Sequence, residues 1–149
     1  MKDLDLFQLA LGLESPWHVS SSSFDADKKR LDIRIDFAPG SVFCCPECGQ
    51  PGMKAYDTSE ATWRHLNFFQ HEAYLTARVP RISCPECGIL KLKSLPWARR
   101  DSGFTLLFEA MIMVMAKSMP VKAIAALVGE HDTRIWRIVH HYVDQAREK

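Results

Sequence analysis

The chain has 149 residues, of which 47% are hydrophobic and 25% are charged, and its formal net charge is +1. This length allows one ordinary globular domain or two small ones that share a modest core. The longest strictly apolar run, Ala110 to Ala116, is far shorter than the roughly 18 residues of a membrane span, and the first residues lack a secretory-signal pattern. We therefore expect a cytoplasmic protein outside the membrane, in a reducing compartment where clustered cysteines more often bind metal than form disulfides.

The basic residues are concentrated in the middle of the chain. Residues 41–100 carry eight basic and five acidic side chains, whereas the net charge is −2 over 1–40 and zero over 101–149. The basic excess therefore coincides with the cysteines. A net charge near zero excludes binding to nucleic acid by bulk charge alone, so any such contact must depend on local placement.

The first forty residues predict a short helix followed by a pair of strands. Apolar residues recur at helical spacing over 4–13, which predicts an amphipathic helix. Apolar and polar residues then alternate over 17–24 and 30–37, with a polar turn between the two segments. This pattern predicts an antiparallel hairpin with one face exposed to solvent.

A second hairpin and three helices are predicted in the rest of the chain. Alternation over 63–69 and 73–79 predicts another pair of strands. Apolar residues at i, i+3, i+4 and i+7 spacing over 104–119 predict a helix of about four turns. Two further helical segments are predicted at 121–128 and 133–146.

The pentapeptide Cys-Pro-Glu-Cys-Gly occurs twice, at 45–49 and 84–88. In such a turn both sulfurs face one point, proline restricts φ, and the glycine tolerates the positive φ that turns backbone amides toward the sulfurs. Two turns supply four thiolates, which form the closed tetrahedral shell of structural Zn²⁺. One motif could be a chance or redox pair, whereas two identical motifs favour a metal site. The predicted ligands are Cys45, Cys48, Cys84 and Cys87.

Four thiolates leave no open position on the metal, so the sequence predicts a structural rather than a catalytic site. Cys44 is predicted to be a buried or spare thiol, although it could replace Cys45 as the partner of Cys48. A rubredoxin-like iron site is an alternative to zinc, because such a site uses similar Cys-x-x-Cys turns. His65 and His71 are interpreted as surface residues of the hairpin rather than ligands. The metal would contribute on the order of 10 kcal/mol to folding.

Residues 120–139 have the pattern of a helix, a tight turn and a second helix. Gly129 suits the turn, and Asp132 or Thr133 is predicted to cap the second helix. In a helix-turn-helix, exposed residues at the start of the second helix contact base edges in the major groove, where arginine can bind guanine or phosphate. A plain helical hairpin, with Trp136 in its core, is the alternative interpretation. The candidate DNA contacts are Thr133, Arg134, Trp136 and Arg137.

The order of these features resembles a known family. A short helix and a hairpin precede the first cysteine motif, Trp-Arg-His-Leu follows at 63–66, and Arg-x-x-Cys-Pro-Glu-Cys-Gly follows at 81–88. The helical half contains Ala-Ile-Ala at 123–125 and Thr-x-x-Trp-Arg-Ile at 133–138. Over about residues 9–140, the chain resembles the N-terminal region of bacterial insertion-sequence transposases of the ISL3 type.

The resemblance implies both a fold and a function. It implies an α+β protein, with a β-hairpin-rich zinc ribbon followed by a three-helix helix-turn-helix domain. The four motif cysteines would hold the metal, and residues 133–137 would contact DNA. In the family a catalytic domain with an Asp-Asp-Glu triad follows, and the residues after Gln145 do not supply one. We therefore expect a non-enzymatic module that binds double-stranded DNA at the terminal inverted repeats of an insertion sequence.

Three domains are expected, at 1–40 (helix and hairpin), 41–95 (zinc ribbon) and 100–149 (helix-turn-helix). The full-length protein is expected to form a homo-oligomer in the bacterial cytoplasm and to associate with the nucleoid when it is bound to DNA. Further phosphate contacts are expected from basic residues of the ribbon and linker, namely Arg64, Arg78, Arg81, Lys91, Lys93, Arg99 and Arg100.

Two other functions are compatible with the sequence. One is a zinc-stabilised interaction or oligomerisation module without DNA specificity, in which the methionine-rich helix 104–119 pairs with another chain. The other is a thiol or zinc enzyme, which would need an open metal position or an activated thiolate. Cys44 is the candidate nucleophile, and the sequence places no histidine partner beside it.

Overall fold

The computed structural model describes residues 3–92 and 95–148, and it has an α+β fold, as predicted. Its elements are α1 (Asp3–Leu11), β1 (Trp17–Asp25), β2 (Arg30–Phe37), β3 (Val42–Phe43), β4 (Met53–Phe68), β5 (His71–Cys84), β6 (Gly88–Lys91), α2 (Leu106–Ala116), α3 (Val121–Val128) and α4 (Asp132–Arg147). The chain divides into two compact units between Thr105 and Leu106. The sheet thus forms one unit with α1. The division of this unit into separate domains at 1–40 and 41–95 stays a prediction.

The six strands form one sheet in the order β1-β2-β5-β4-β3, and β6 pairs with the C-terminal end of β5 at residues 81–84. Both predicted hairpins are present as antiparallel pairs. The two hairpins are joined by parallel pairing of β2 with β5, in which Leu31, Ile33 and Ile35 lie opposite Ala73, Leu75 and Ala77. A parallel neighbour distant in sequence leaves no local signal, so this joint was not predicted.

The core of the first unit lies on one face of this sheet. Side chains of β2 alternate between buried and half-buried positions, as an amphipathic strand requires. The indoles of Trp17 and Trp63 pack edge-to-face on Trp97, with ring centroids 5.0 and 5.5 Å away. Trp97 lies outside the regular strands, and its burial ties the segment after β6 to the core.

Strands β4 and β5 are longer than predicted. Most side chains of β4 from Lys54 to Glu60 are exposed, so this part of the strand lacks the alternation that identifies a half-buried strand. The partner strand β5 remains buried on alternate residues. The extension matters for the site, because it carries the hairpin back to both cysteine motifs.

The opposite face of the sheet carries ion pairs between strands. Asp36 of β2 pairs with Arg78 of β5, with 2.8 Å between Oδ1 and the guanidinium, and Arg34 pairs with Glu60. Arg81 of β5 pairs with Asp57 of β4, and its hydrogen bonds lower the pKa of the Asp57 carboxyl. Two of these pairs neutralise basic residues of the ribbon, Arg78 and Arg81.

The second unit contains three helices that contact one another. Ile112, Ile124, Ile135 and Ile138 are buried in its core. Gly129 ends α3 in the left-handed conformation, at φ 73°, and donates its N–H to Ala125. The helix α4 is capped by His131, whose Nδ1 accepts a hydrogen bond from the Thr133 N–H at 3.2 Å. This corrects the cap predicted at Asp132 or Thr133. Thr133 donates the capping hydrogen bond, and Asp132 is already the first residue of the helix.

The helix α2 begins at Leu106, two residues after the predicted start. Phe104 and Thr105 are extended instead, because the backbone of Arg64 pairs with this segment. The Arg64 N–H donates to Gly103, and the Thr105 N–H donates to Arg64, both at 2.9 Å. Within the described residues, no helix is long and apolar enough to cross a membrane.

We expect Leu75→Ala to lower the free energy of unfolding by about 2–5 kcal/mol, because the leucine is completely buried and its loss leaves a cavity. The matched control is Leu9→Ala, in the same unit, where the side chain is 67% exposed and the expected change is within about 0.5 kcal/mol. Urea unfolding in zinc-containing buffer measures both values. Equal destabilisation by the two variants would contradict the assigned core.

Candidate metal centre and nucleic-acid interface

The four motif cysteines meet at one end of the sheet. Cys45 and Cys48 lie in the turn between β3 and β4, whereas Cys84 ends β5 and Cys87 lies in the turn before β6. Pairing of β3 with β4 and of β4 with β5 brings the two turns together. The predicted return of the chain through the hairpin is therefore present.

The backbone of each turn is shaped around its cysteines. In the first turn the Cys45 N–H donates to the Gln50 carbonyl, and the Gly49 N–H donates to the Cys45 carbonyl, both at 2.9 Å. Gly49 and Gly88 have φ values of 76° and 86°, which favour glycine at the position after each second cysteine. These glycines therefore have the conformation that the motif predicts.

The sulfurs of Cys45, Cys48, Cys84 and Cys87 all lie within 4.8 Å of one another. The Cys48 and Cys84 sulfurs are 3.7 Å apart. Four sulfurs at about 2.3 Å from a tetrahedral ion are separated by about 3.8 Å, so this arrangement is close to the one that Zn²⁺ requires. The four cysteines are thus placed for metal binding.

The thiols influence one another's ionisation. The backbone N–H of Cys48 stabilises the Cys45 thiolate and lowers the pKa of Cys45 to about 7. Burial and the neighbouring sulfurs raise the pKa of Cys87 to about 12. Four adjacent thiolates repel one another, so a bound cation is needed before all four lose their protons.

The surroundings of the cluster are apolar on the protein side. Cys45 and Cys84 are buried against Met53 and Ile82, and Phe43 packs at the margin. This packing keeps water from half of the site, whereas Cys48 is exposed. The cluster therefore sits in the small second core of the sheet unit, where a metal would crosslink β5 to the first turn.

The remaining candidate ligands lie elsewhere. Cys44 is exposed, so of the two roles predicted for it the spare thiol fits and the buried thiol is wrong. His65 and His71 are half-buried residues of the hairpin, and neither belongs to the four-cysteine cluster. The Nδ1 of His65 is 2.7 Å from the Thr105 hydroxyl, and burial lowers the pKa of this histidine. His71 packs edge-to-face on Phe24.

The structure separates the predicted phosphate contacts into two groups. Arg64 is only 2% exposed and pairs with Glu72 at 3.2 Å, so its predicted DNA contact is corrected to a structural role within the sheet. Arg78 and Arg81 are held by the carboxylates of Asp36 and Asp57, which sequence patterning across strands did not reveal. Lys93 lies outside the described residues.

Lys91, Arg99 and Arg100 instead line one cavity of about 380 Å³ beside the first cysteine turn. Its apolar wall includes Trp63 and Val79, and two acidic residues, Glu47 and Asp101, also line it. Arg100 is 64% exposed and only 3.5 Å from the carboxylate of Asp101. Three basic and two acidic residues thus line this cavity, which we call the knuckle groove.

The exposed face of α4 contains most of the predicted base contacts. Thr133, Trp136 and Arg137 are exposed, whereas Arg134 is partly covered and binds Glu130 at 2.6 Å. Glu130 is only 10% exposed, so this pair fixes the turn before α4. Trp136 is 45% exposed, which places it at the surface and not in the core of a helical hairpin.

Comparison with known proteins gives matches on both units. The zinc-finger of transposase IS204/IS1001/IS1096/IS1165 matches residues 41–87, and the helix-turn-helix domain of transposase family ISL3 matches residues 94–143. The chain is also similar to the transposase for insertion sequence element IS1557 of Mycobacterium tuberculosis, in strains CDC 1551 / Oshkosh and ATCC 25618 / H37Rv, with 27% identity. This similarity covers 97% of the chain but 35% of the length of those relatives.

No solved structure matches the chain. The two family matches follow one another in the order expected from the cysteine motifs and the helical segment. The similarity to a transposase extends over nearly the whole chain. Together these matches show that the chain is similar to the N-terminal region of ISL3-type transposases.

Proposed function

We propose that the chain is the DNA-recognition module of a transposase and that it binds the terminal inverted repeats of an insertion sequence. The observation that carries this proposal is the presence of a transposase helix-turn-helix match and a four-cysteine cluster in one chain. The helix-turn-helix would read bases through the exposed face of α4. The chain would bind DNA without cutting it, in the bacterial cytoplasm and at the nucleoid.

The four-cysteine cluster would hold a structural Zn²⁺. Its donors are all thiolates, which suit zinc and leave no position for a substrate, so the ion would act on folding rather than on catalysis. The metal would add to the hydrophobic stabilisation at the end of the sheet, where Met53 and Ile82 are buried with Cys45 and Cys84. Iron is the chemical alternative for such a donor set.

The knuckle groove would hold a phosphate of the DNA backbone. Lys91 and Arg100 are exposed there, and the ion pair of Arg100 with Asp101 is a weak competitor for phosphate because both groups are exposed. Local charge of this kind would explain how a chain with a net charge of +1 binds a polyanion. A contact that neutralises phosphate adds affinity but no sequence preference.

A protein-interaction module is the second candidate function, and one feature of α2 favours it. The only charged residue of this helix, Glu109, is buried and accepts a hydrogen bond from Tyr142 at 2.8 Å. Leu107 and Val114 are 51% and 65% exposed on the same helix. Self-association in sedimentation experiments, with no duplex enriched in a binding selection, would favour this candidate over DNA recognition.

We expect Cys45→Ser to lose tightly bound metal, because serine leaves three thiolates in a shell that needs four. Cys44→Ser is the matched control on the neighbouring residue and should retain one metal ion per chain. Metal analysis of purified protein and the thiolate-to-Co²⁺ absorption band measure this directly. Metal loss from the Cys44 variant, with retention by the Cys45 variant, would reverse the assigned ligands.

Selection of the zinc-loaded chain against random duplex DNA should enrich one motif, and Arg137→Ala should weaken binding to it by about 1–3 kcal/mol. Arg147→Ala is the control, since it removes the same charge about 15 Å further along α4. Fluorescence anisotropy measures both affinities. Equal losses would show that charge alone, and not the reading face, carries the binding.

The double variant Lys91→Ala/Arg100→Ala should bind every duplex more weakly and keep the same preferred motif. Each lost phosphate contact should reduce the slope of log K against log salt by about 0.9. Arg81→Ala is the control, because its guanidinium already pairs with Asp57. An unchanged slope in the double variant would exclude the knuckle groove from the DNA contact.

A further inference from the structure

The exposed face of α4 also contains an aromatic surface formed by two stacked rings. The indole of Trp136 and the imidazole of His140 are stacked, with ring centroids 5.2 Å apart and an angle of 25° between their planes. Trp136 is 45% exposed, and His140 is also exposed. Two stacked rings held in solvent form a flat apolar surface of a kind that commonly marks a contact site.

Helical spacing places this pair at the centre of the face that points away from the core. Thr133, Trp136, Arg137 and His140 lie at i, i+3, i+4 and i+7, so they share one side of the helix. The buried residues Ile135 and Ile138 lie on the opposite side. The stacked pair therefore does not help to hold α4 in its unit.

The length of this face matches a short DNA site. From Thr133 to His140 the helix rises about 10 Å, which corresponds to about three base pairs of B-form DNA. The exposed carboxylate of Asp144 lies one turn further on and would repel phosphate, so it limits the surface at its C-terminal end. Arg134 lies at the flank, where its ion pair with Glu130 makes it a positioning residue rather than a base contact.

We propose that the stacked rings of Trp136 and His140 read the C5-methyl group of a thymine, with Arg137 donating to a neighbouring guanine. The proposal rests on the proposed function. Among the groups exposed in the major groove, the thymine methyl is the one that favours an apolar surface, whereas guanine offers two acceptors to arginine. The composition of the face therefore predicts a thymine beside a guanine within the recognised motif.

Uracil substitution in the selected duplex tests this directly, since uracil keeps the base pair and removes only the methyl group. We expect replacement of one contacted thymine by uracil to lower the affinity of the wild-type protein about fourfold, which corresponds to the free energy of burying one methyl group. Trp136→Ala should bind the thymine duplex more weakly than wild type, and should bind the thymine and uracil forms equally. This loss of sensitivity is the double-mutant signature of a direct contact.

Two further variants separate the contact from general damage. Leu127→Ala removes an exposed apolar side chain from α3 and should keep the wild-type affinity and the uracil effect. His140→Ala should weaken the uracil effect, whereas His140→Phe, which preserves a stacking ring, should retain it. Circular dichroism spectra that match the wild-type spectrum establish that each variant is folded.

The possible failures are distinguishable. If no duplex were enriched at all, the proposed function would fail and this inference with it. If a motif were enriched but no thymine in it were sensitive to uracil, or if Trp136→Ala kept the full uracil effect, the inference alone would be wrong. If Trp136→Ala left affinity for the thymine duplex unchanged, the stacked pair would belong to an interface other than DNA.

Discussion

The pairing of β4 with β5 is the constraint on which the rest of the sheet unit depends. It brings two cysteine turns, separated by 35 residues of sequence, to one end of the sheet, where the four sulfurs lie within 4.8 Å of one another. The same strand β5 pairs in parallel with β2 and carries the middle of the core. A metal at the cysteine cluster would therefore crosslink the two turns at this end of the sheet. Loss of the metal would act on the strand that every other element of the sheet contacts directly or through one neighbour.

The sequence predicted features that depend on local spacing. The two cysteine turns, both hairpins and all four helices follow from motifs or periodicities within about twenty residues, and the structure contains each of them. The parallel joint between β2 and β5 was missed, because its partners are about 40 residues apart and leave no pattern in either strand. The burial of Arg64 was also missed, because it depends on a segment that is distant in sequence. Its partner Glu72 is close in sequence, but the insertion of residues 103–105 beside it depends on the tertiary fold.

The candidate DNA contacts illustrate how charge in a sequence differs from charge at a surface. Seven basic residues between 64 and 100 gave the ribbon a basic appearance, yet three of them are neutralised within the sheet by Glu72, Asp36 and Asp57. Each pair joins residues on different strands or across a turn, so counting charges along the chain cannot identify it. Lys91, Arg99 and Arg100 line the groove instead, where two acidic residues share the surface. The ion pairs therefore leave fewer basic side chains available to phosphate than the count along the chain suggests.

The same distinction applies on α4, where two arginines three residues apart have different surroundings. Arg134 is fixed by Glu130 at the turn, while Arg137 stands beside the stacked rings of Trp136 and His140. An arginine already bound to a carboxylate would have to break that pair before it contacted a base, and the partly buried carboxylate of Glu130 would then lack its partner. An exposed arginine beside an apolar surface pays no such cost. We therefore expect base recognition from the centre of the exposed face of this helix. The ion pair of Arg134 with Glu130 fixes the turn before the helix and so helps to orient that face.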